Sequence, residues 1–423
     1  MATGLSGTNI DVYAHWEEME APEIMGILKA NQGRGELIFS FNYEEKWLNK
    51  KHGFYLDPNL QLFSGPQYPA SGKLNFGVFL DSSPDRWGKL LMRRREAATA
   101  RAEGRKEKIL NELDYLLGVY DGHRMGGLRF KIELDGNFLN DNKVMASPPW
   151  ANLRDLEYAS LQLEKEDAID DPEYMKWLSI LIAPGSSLGG ARPKASVVEL
   201  NGELWIAKFP SNNDERNMGA WEKVVQELAL KSGVIMAEGK AQQFNSRHHT
   251  FLNKRFDRSA KGERIHFASA LTLLGYNDGA DYKDGVSYLE LAEFIERYGA
   301  QPTTDLQQLW RRIVFYICVS NTDDHLRNHG FLLTSKGWIL SPAYDVNPEP
   351  YGRGLTLNIS ENDNALSLEL AIQVAQYFRL NKPEALSIIS KVQQAVAQWK
   401  PIAASYQIAR EEQELMARAF MIR

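Results

Sequence analysis

Asn321-Thr-Asp323-Asp-His325-Leu-Arg-Asn328-His-Gly330 is the stretch on which the reading of this 423-residue chain turns. It follows a run, 306–318, whose apolar residues recur at three- and four-residue spacing, the pattern of a core-facing helix. A short apolar run at 331–333 comes next, then Pro342-Ala-Tyr-Asp345. Asp323 and Asn328 lie five residues apart, and Asp345 comes 17 residues after Asn328. Phosphoryl transfer to a hydroxyl needs a carboxylate to accept the proton and oxygen ligands to hold Mg²⁺ between phosphates. Asp-x4-Asn with a downstream Asp supplies those parts. Taken alone, the segment also fits a polar loop whose Asp and Asn side chains cap turns and helices.

Three features upstream favour the first reading by occurring in one order. Gly185-Ser-Ser-Leu-Gly-Gly-Ala-Arg-Pro-Lys194 precedes two strand-like runs at 195–200 and 203–209. Its small residues, Gly189, Gly190 and Ala191 among them, let backbone N–H groups approach phosphate oxygens. Asn201-Gly202 between the strands is a two-residue hairpin signal. Lys208 ends the second strand and alternates with Leu204 and Ile206, so it shares their apolar face. It reads either as an edge lysine reaching water or as a phosphate-binding lysine held by a carboxylate. Glu222, in the helix expected over 218–231, is the candidate carboxylate. Alone it is an ordinary solvated glutamate; with Lys208 upstream it completes an ion pair.

The remaining chain bounds the function class. Its length calls for two or three domains, and 43% hydrophobic and 25% charged residues fit globular cores. Boundaries are expected near 150 and 265, after a polar, proline-bearing stretch at 140–152. The segment 1–150 mixes short strands, at 37–41, 77–80 and 128–134, with a basic helix over 84–103. Helices are expected over 153–163 and 175–182, and beyond 266 over 289–297, 306–318, 366–376 and 384–399. A formal net charge of −6 argues against a protein that grips nucleic acid unaided. The basic run Arg93, Arg94, Arg95, Arg101, Arg105, Lys106 and Lys108 is either a solvated helix face or a contact surface for an acidic partner or for DNA shared with one. The single cysteine, Cys318, lies in an apolar run, which suits an inert buried thiol in a reducing compartment. Neither a secretory signal nor a membrane-spanning run is visible, so a cytoplasmic location without membrane contact is expected.

These residues resemble the HipA family of bacterial toxin serine/threonine kinases. The resemblance rests on Gly-Gly-Ala-Arg-Pro-Lys at 189–194, Ile206-Ala-Lys-Phe-Pro210, Arg255-Phe-Asp-Arg258, the 321–330 stretch and Leu340-Ser-Pro-Ala-Tyr-Asp345. Asp81-Ser-Ser-Pro-Asp-Arg-Trp-Gly88 and Arg124-Met-Gly-Gly-Leu-Arg129 extend it to the N-terminal third. It implies an α+β, protein-kinase-like two-lobed fold: an extra N-terminal subdomain (1–150), a mixed α/β nucleotide-binding lobe (151–265) and an all-helical C-terminal lobe (266–423). It implies ATP and Mg²⁺, with Lys208 and Lys194 at the nucleotide, Asp323 as catalytic base, and Asn328 and Asp345 on the metal. A serine of the glycine-rich loop is autophosphorylated in the family, which ejects the loop and silences the enzyme; Ser187 matches that position, with Ser186 beside it. A phosphate there would repel those of the nucleotide. The adenine hinge falls near Phe267 to Ser269. His325 either touches phosphate or braces the loop.

The sequence departs from ordinary protein kinases. Asn321-Thr322, not His-Arg, precedes the base, and Val346-Asn347, not Phe-Gly, follows Asp345, so control by a flipping phenylalanine is not expected. The resemblance implies a helix-turn-helix antitoxin as partner, DNA contacted only through it, and a protein substrate. Well-known members act on aminoacyl-tRNA synthetases, which makes one a candidate. A catalytically weak corepressor acting with its antitoxin and a small-molecule kinase are the competing readings; the presence of Asp323, Asn328 and Asp345 favours an active enzyme over the former.

Overall fold

Alternating apolar residues near the N-terminus build an antiparallel sheet. In the computed structural model, which describes residues 7–33, 37–50, 54–143, 146, 148–181, 190 and 192–420, β1 (Thr8–Ala14), β2 (Glu23–Gln32), β3 (Leu37–Tyr43) and, after a long excursion, β4 (Leu128–Lys131) pair in the order β3-β2-β1-β4. Ile10, Val12 and Ala14 point inward from β1, as the two-residue period of a strand requires. Ile10 lies opposite Leu28, and Leu28 opposite Phe41.

Helices α1 (Glu45–Leu48), α2 (Gly77–Asp81), α3 (Arg86–Glu103) and α4 (Glu112–Leu117) fill the excursion. Residues 77–80 are helical, not the strand expected from their apolar run. The Asp57 carboxylate accepts the Val78 N–H at 3.0 Å and so caps α2 from 21 residues away. Phe76 and Phe79 then pack on Phe41 with ring centroids 6.4 and 5.6 Å away. The strand expected over 128–134 ends earlier, at Lys131.

Helices α5 (Leu153–Leu163) and α6 (Tyr174–Leu181) precede β5 (Lys194–Val198) and β6 (Leu204–Lys208). The β5–β6 turn differs from the expected two-residue form. Glu199 donates to the Glu203 carbonyl at 2.9 Å, Gly202 donates to the Glu199 carbonyl at 2.8 Å, and only Gly202 of this turn has positive φ, +85°. This is a three-residue loop in which a tight turn is followed by a left-handed glycine.

After β6 come α7 (Met218–Lys231) and the hairpin β7 (Gly239–Gln243)–β8 (His249–Lys254). The short strand β9 (Phe267–Ser269) leads into α8 (Ala270–Leu273), α9 (Tyr288–Tyr298) and α10 (Pro302–Val319). A second hairpin, β10 (Gly330–Thr334) and β11 (Gly337–Leu340), is set among the helices. The chain ends in α11 (Leu368–Val374), α12 (Lys382–Val396), α13 (Trp399–Ser405) and α14 (Arg410–Met416). Helix α10 is nearly buried: Leu306, Leu309, Trp310, Ile313, Val314 and Ile317 all face core. Cys318 is buried there too, and desolvation pushes its thiol up to about 12, the inert state expected.

The contacts divide the chain into two compact units, Met1–Ala207 with Asp257–Ala268, and Lys208–Phe256 with Ser269–Arg423. Among the described residues no helix is long and apolar enough to cross a membrane.

Candidate active site

Lys208 leaves β6 with its side chain 11% exposed. Its Nζ lies 2.6 Å from Glu222 Oε1 and 2.5 Å from Asp345 Oδ1. Burial alone would drive this ammonium toward neutrality; Asp345 and Glu222 outweigh that and hold its pKa above the ordinary lysine value. The lysine is therefore charged and fixed between two carboxylates, one from a helix and one from a loop.

The helix is α7. Trp221, Val224, Val225 and Leu228 form its buried stripe at the expected spacing. Glu222 is only 6% exposed, so it belongs to the interior and not to the solvated edge. Gly219 lets α7 lie directly on β8: a Cβ there would run into the His249 carbonyl.

The loop is the polar stretch after α10. Ser320 ends the helix with a left-handed φ of +50°. Asp323 and Asp324 then point in opposite directions: the Asp323 side chain is 80% exposed, whereas Asp324 is fully buried. Asp324 accepts the Tyr288 hydroxyl proton and the Thr356 N–H, the latter at 2.6 Å. Asn328 donates from Nδ2 to the Asp323 carbonyl at 2.6 Å, which fixes the backbone that presents the Asp323 carboxylate. Asn328 Oδ1 is buried with no hydrogen-bond partner among the described residues. His325 Nε2 lies 3.9 Å from Asp323 Oδ1.

Asp345 itself sits at φ +55°, a strained conformation for a residue with a Cβ and one that marks functional positions. Three ties hold its neighbourhood against the 320–328 loop. The Tyr344 hydroxyl donates to the Arg327 carbonyl at 2.7 Å, Asn347 N donates to Asn321 Oδ1 at 3.0 Å, and Glu349 N donates to the Ser320 carbonyl at 3.1 Å. Lys208, Glu222, Asp323, His325, Asn328 and Asp345 thus all belong to one compact unit.

The donor set suits a hard divalent cation. Asn328 offers an unpaired buried amide oxygen and Asp345 a carboxylate, both oxygen ligands of the kind Mg²⁺ takes together with substrate phosphates. Among the described residues no group of three or more His, Cys, Asp or Glu side chains gathers to hold a metal alone.

Ser186, Ser187, Gly189 and Ala191 lie outside the described residues. Lys194 is buried, with Nζ 2.8 Å from Asp85 Oδ2 and 3.4 Å from the Gly190 carbonyl. Asp85 also caps α3 by accepting the Gly88 N–H at 2.8 Å, and Trp87 Nε1 donates to the Lys194 carbonyl at 3.0 Å. Phe267 and Ser269 stand at the two ends of β9, across the point where the chain passes from one unit to the other. In the N-terminal motifs the buried Arg124 donates to the carbonyls of Ser82, Leu116, Val119 and Leu139 at 2.8–3.0 Å. Three members of the basic run form ion pairs, Arg105 with Glu96 and Glu103, Lys108 with Asp114, and Arg101 with Asp170. Tyr288 and Thr356 escaped the sequence reading, which offered no signal that either would meet Asp324.

A model of the HipA-like C-terminal domain family matches residues 186–399. A Haemophilus influenzae protein, named provisionally as a kinase, is 28% identical over 188 residues, 40% of this chain. The match spans about half, 54%, of that relative's length. Among solved structures, HipA of Shewanella oneidensis MR-1, determined with HipB and operator DNA, superposes with a TM-score of 0.64 at 19% identity, covering 97% of this chain and 96% of that one. The Helicobacter pylori proinflammatory kinase CtkA gives a TM-score of 0.38 at 15% identity, over 55% of this chain and 91% of that one. The Shewanella likeness extends the shared α+β architecture over nearly the whole chain. By the family match over half its length and this shared fold, the chain belongs to the HipA family.

Proposed function

We propose that this protein is a toxin-type, Mg²⁺- and ATP-dependent kinase that phosphorylates a serine or threonine hydroxyl of another protein. One observation carries the reading: Lys208 is held between Glu222 and Asp345, and the Asp345 segment is tied at three points to the loop bearing Asp323 and Asn328. A charged, oriented lysine beside oxygen ligands and an exposed carboxylate is the equipment of phosphoryl transfer.

Lys208 grips the nucleotide phosphates, and Glu222 keeps it charged and aimed. The Asn328 amide oxygen and the Asp345 carboxylate would hold Mg²⁺, which would supply charge neutralisation on the transferred group. The Asp323 carboxylate, open to solvent, accepts the proton of the attacking hydroxyl. Asn328 positions that carboxylate from behind, and His325 braces the loop within 3.9 Å of it. Lys194 anchors the end of the glycine-rich loop through the Gly190 carbonyl. Gly189, Gly190 and Ala191 approach the phosphates, 267–269 serves as the adenine hinge, and phosphorylation of Ser187 or Ser186 switches the loop off. In this reading 1–150 is an accessory subdomain, 151–265 the nucleotide-binding lobe and 266–423 the catalytic lobe.

The protein acts in the cytoplasm with a helix-turn-helix antitoxin and meets DNA through it, a reading supported by the HipB and operator complex of its structural neighbour and by the net charge of −6. Incubation with labelled ATP and Mg²⁺, followed by mass spectrometry of the 185–194 peptide, tests the assignment. Label is expected on Ser187 or Ser186 in the parent and is lost in Asp323→Asn, which still binds nucleotide. Nucleotide binding without transfer in the parent would identify a corepressor instead.

A further inference from the structure

The C-terminal segment grips the front of α7 at a point the phosphate chemistry does not use. Glu412 Oε1, on α14, accepts both the Asn217 N–H and the Trp221 Nε1–H, each at 2.7 Å. Asn217 is the N-cap of α7, so the carboxylate also sits at the positive end of the helix. Trp221, one residue before Glu222, lies against Trp399 and Phe420 with ring centroids 6.2 and 5.8 Å away, and those two rings stack at 4.6 Å. The same segment reaches the catalytic loop: the Ser320 hydroxyl donates to the Ala419 carbonyl at 2.9 Å. Arg216, next to the cap, contacts Met416 Sδ and Glu349 Oε2, both at 3.3 Å.

We propose that residues 410–420 form an intramolecular clamp that sets α7 in the position where Glu222 meets Lys208, with Glu412 as its positioning residue. The physical reason is leverage. Two hydrogen bonds to one carboxylate oxygen fix the first turn of α7, and Glu222 projects from the next residue beyond that grip. A shift of the first turn carries Glu222 with it and lengthens the 2.6 Å Lys208–Glu222 contact. The inference rests on the kinase reading for its consequence, nucleotide affinity, but not for the geometric link itself.

The test compares the full-length parent with Glu412→Ala, Glu412→Gln and Trp221→Phe. The first readout is the labelling rate of Lys208 by an amine-acetylating reagent, followed by mass spectrometry; the second is Mg²⁺-ATP affinity by calorimetry. In Glu412→Ala, Lys208 labels about tenfold faster and ATP binds about tenfold more weakly, the scale expected for losing a charge-assisted pair of bonds. Glu412→Gln stays near the parent in both, because its amide oxygen accepts the same two bonds. Trp221→Phe, which removes one bond and replaces the indole with a smaller aromatic ring, falls between. Labelling of Lys194, buried against Asp85, stays unchanged and separates a local effect from general loosening. Lys208 labelling at the parent rate in Glu412→Ala overturns the clamp, as does a parallel rise at Lys194. If Glu412→Ala does not fold, Trp221→Phe decides alone, and parent-like labelling there overturns the clamp. A parent that binds no Mg²⁺-ATP while Lys208 labelling still responds keeps the clamp and rejects the kinase reading.

Discussion

Asp323 and Asp324 are the same residue type, one position apart, and the fold gives them opposite roles. Burial raises the Asp324 pKa to about 7, although the hydrogen bonds from Tyr288 and the Thr356 N–H pull it down. Its folded value lies above that of the unfolded chain, so the folded state holds a proton where the unfolded state has lost it. The stability it contributes is full below about pH 4 and is lost as the pH rises toward about 7. Asp324→Asn removes this titration. Urea midpoints measured across that range should show the parent losing stability relative to the variant as pH rises, with a level difference above about pH 8. A difference that does not change with pH would mean that Asp324 is not titrating there. The sequence identified the Asp-x4-Asn spacing; it held nothing to say which acid faces inward, because that depends on Tyr288 and Thr356, 36 and 32 positions away.

Local signals specify some elements and leave others to the fold, for physical reasons. Helix α7 forms over the span expected, Met218–Lys231, because periodicity, an Asn cap and a closing glycine at φ +82° all agree. Helix α2 forms where a strand is expected, because a four-residue apolar run has no measurable period and its cap comes from Asp57, far outside the window. Helix α3 forms where a basic helix is expected, but only the folded chain shows that part of its charge is matched, Lys89 by Glu112 and Arg101 by Asp170. The seating of α7 on β8 makes a sharp prediction. Gly219→Ala forces a methyl group into the His249 carbonyl and should cost about 1–3 kcal/mol or more, as overpacking does. Gly202→Ala, with open space around the new Cβ and φ +85°, should cost only the left-handed strain of about 1–2 kcal/mol. Urea denaturation of both variants checks the ordering, and a smaller loss for Gly219→Ala would contradict the close approach.

Ligand linkage is the test at the scale of the whole molecule. If the site binds Mg²⁺-ATP in the folded state alone, a hundredfold excess over Kd should add about 2.7 kcal/mol to stability and raise the melting temperature. Asp345→Asn should abolish the Mg²⁺-dependent part of that rise, because it removes a full ligand charge and one of the two carboxylates that hold Lys208. An equal rise in parent and variant, followed by differential scanning fluorimetry, would count against the metal role. Lys208, Glu222, Asp323, Asn328 and Asp345 could be listed from the sequence because the proposed phosphoryl transfer needs those residue types in a set order, and that order is visible along the chain. The amino-acid sequence alone thus determined which chemical groups the protein has to offer. Tertiary structure decided that Lys194 would pair with Asp85, that Asp324 would turn inward, and that Glu412 would seize the start of α7. Burial is a collective property: a carboxylate is hidden or exposed according to partners that folding brings from tens to nearly two hundred residues away, and no local window contains them.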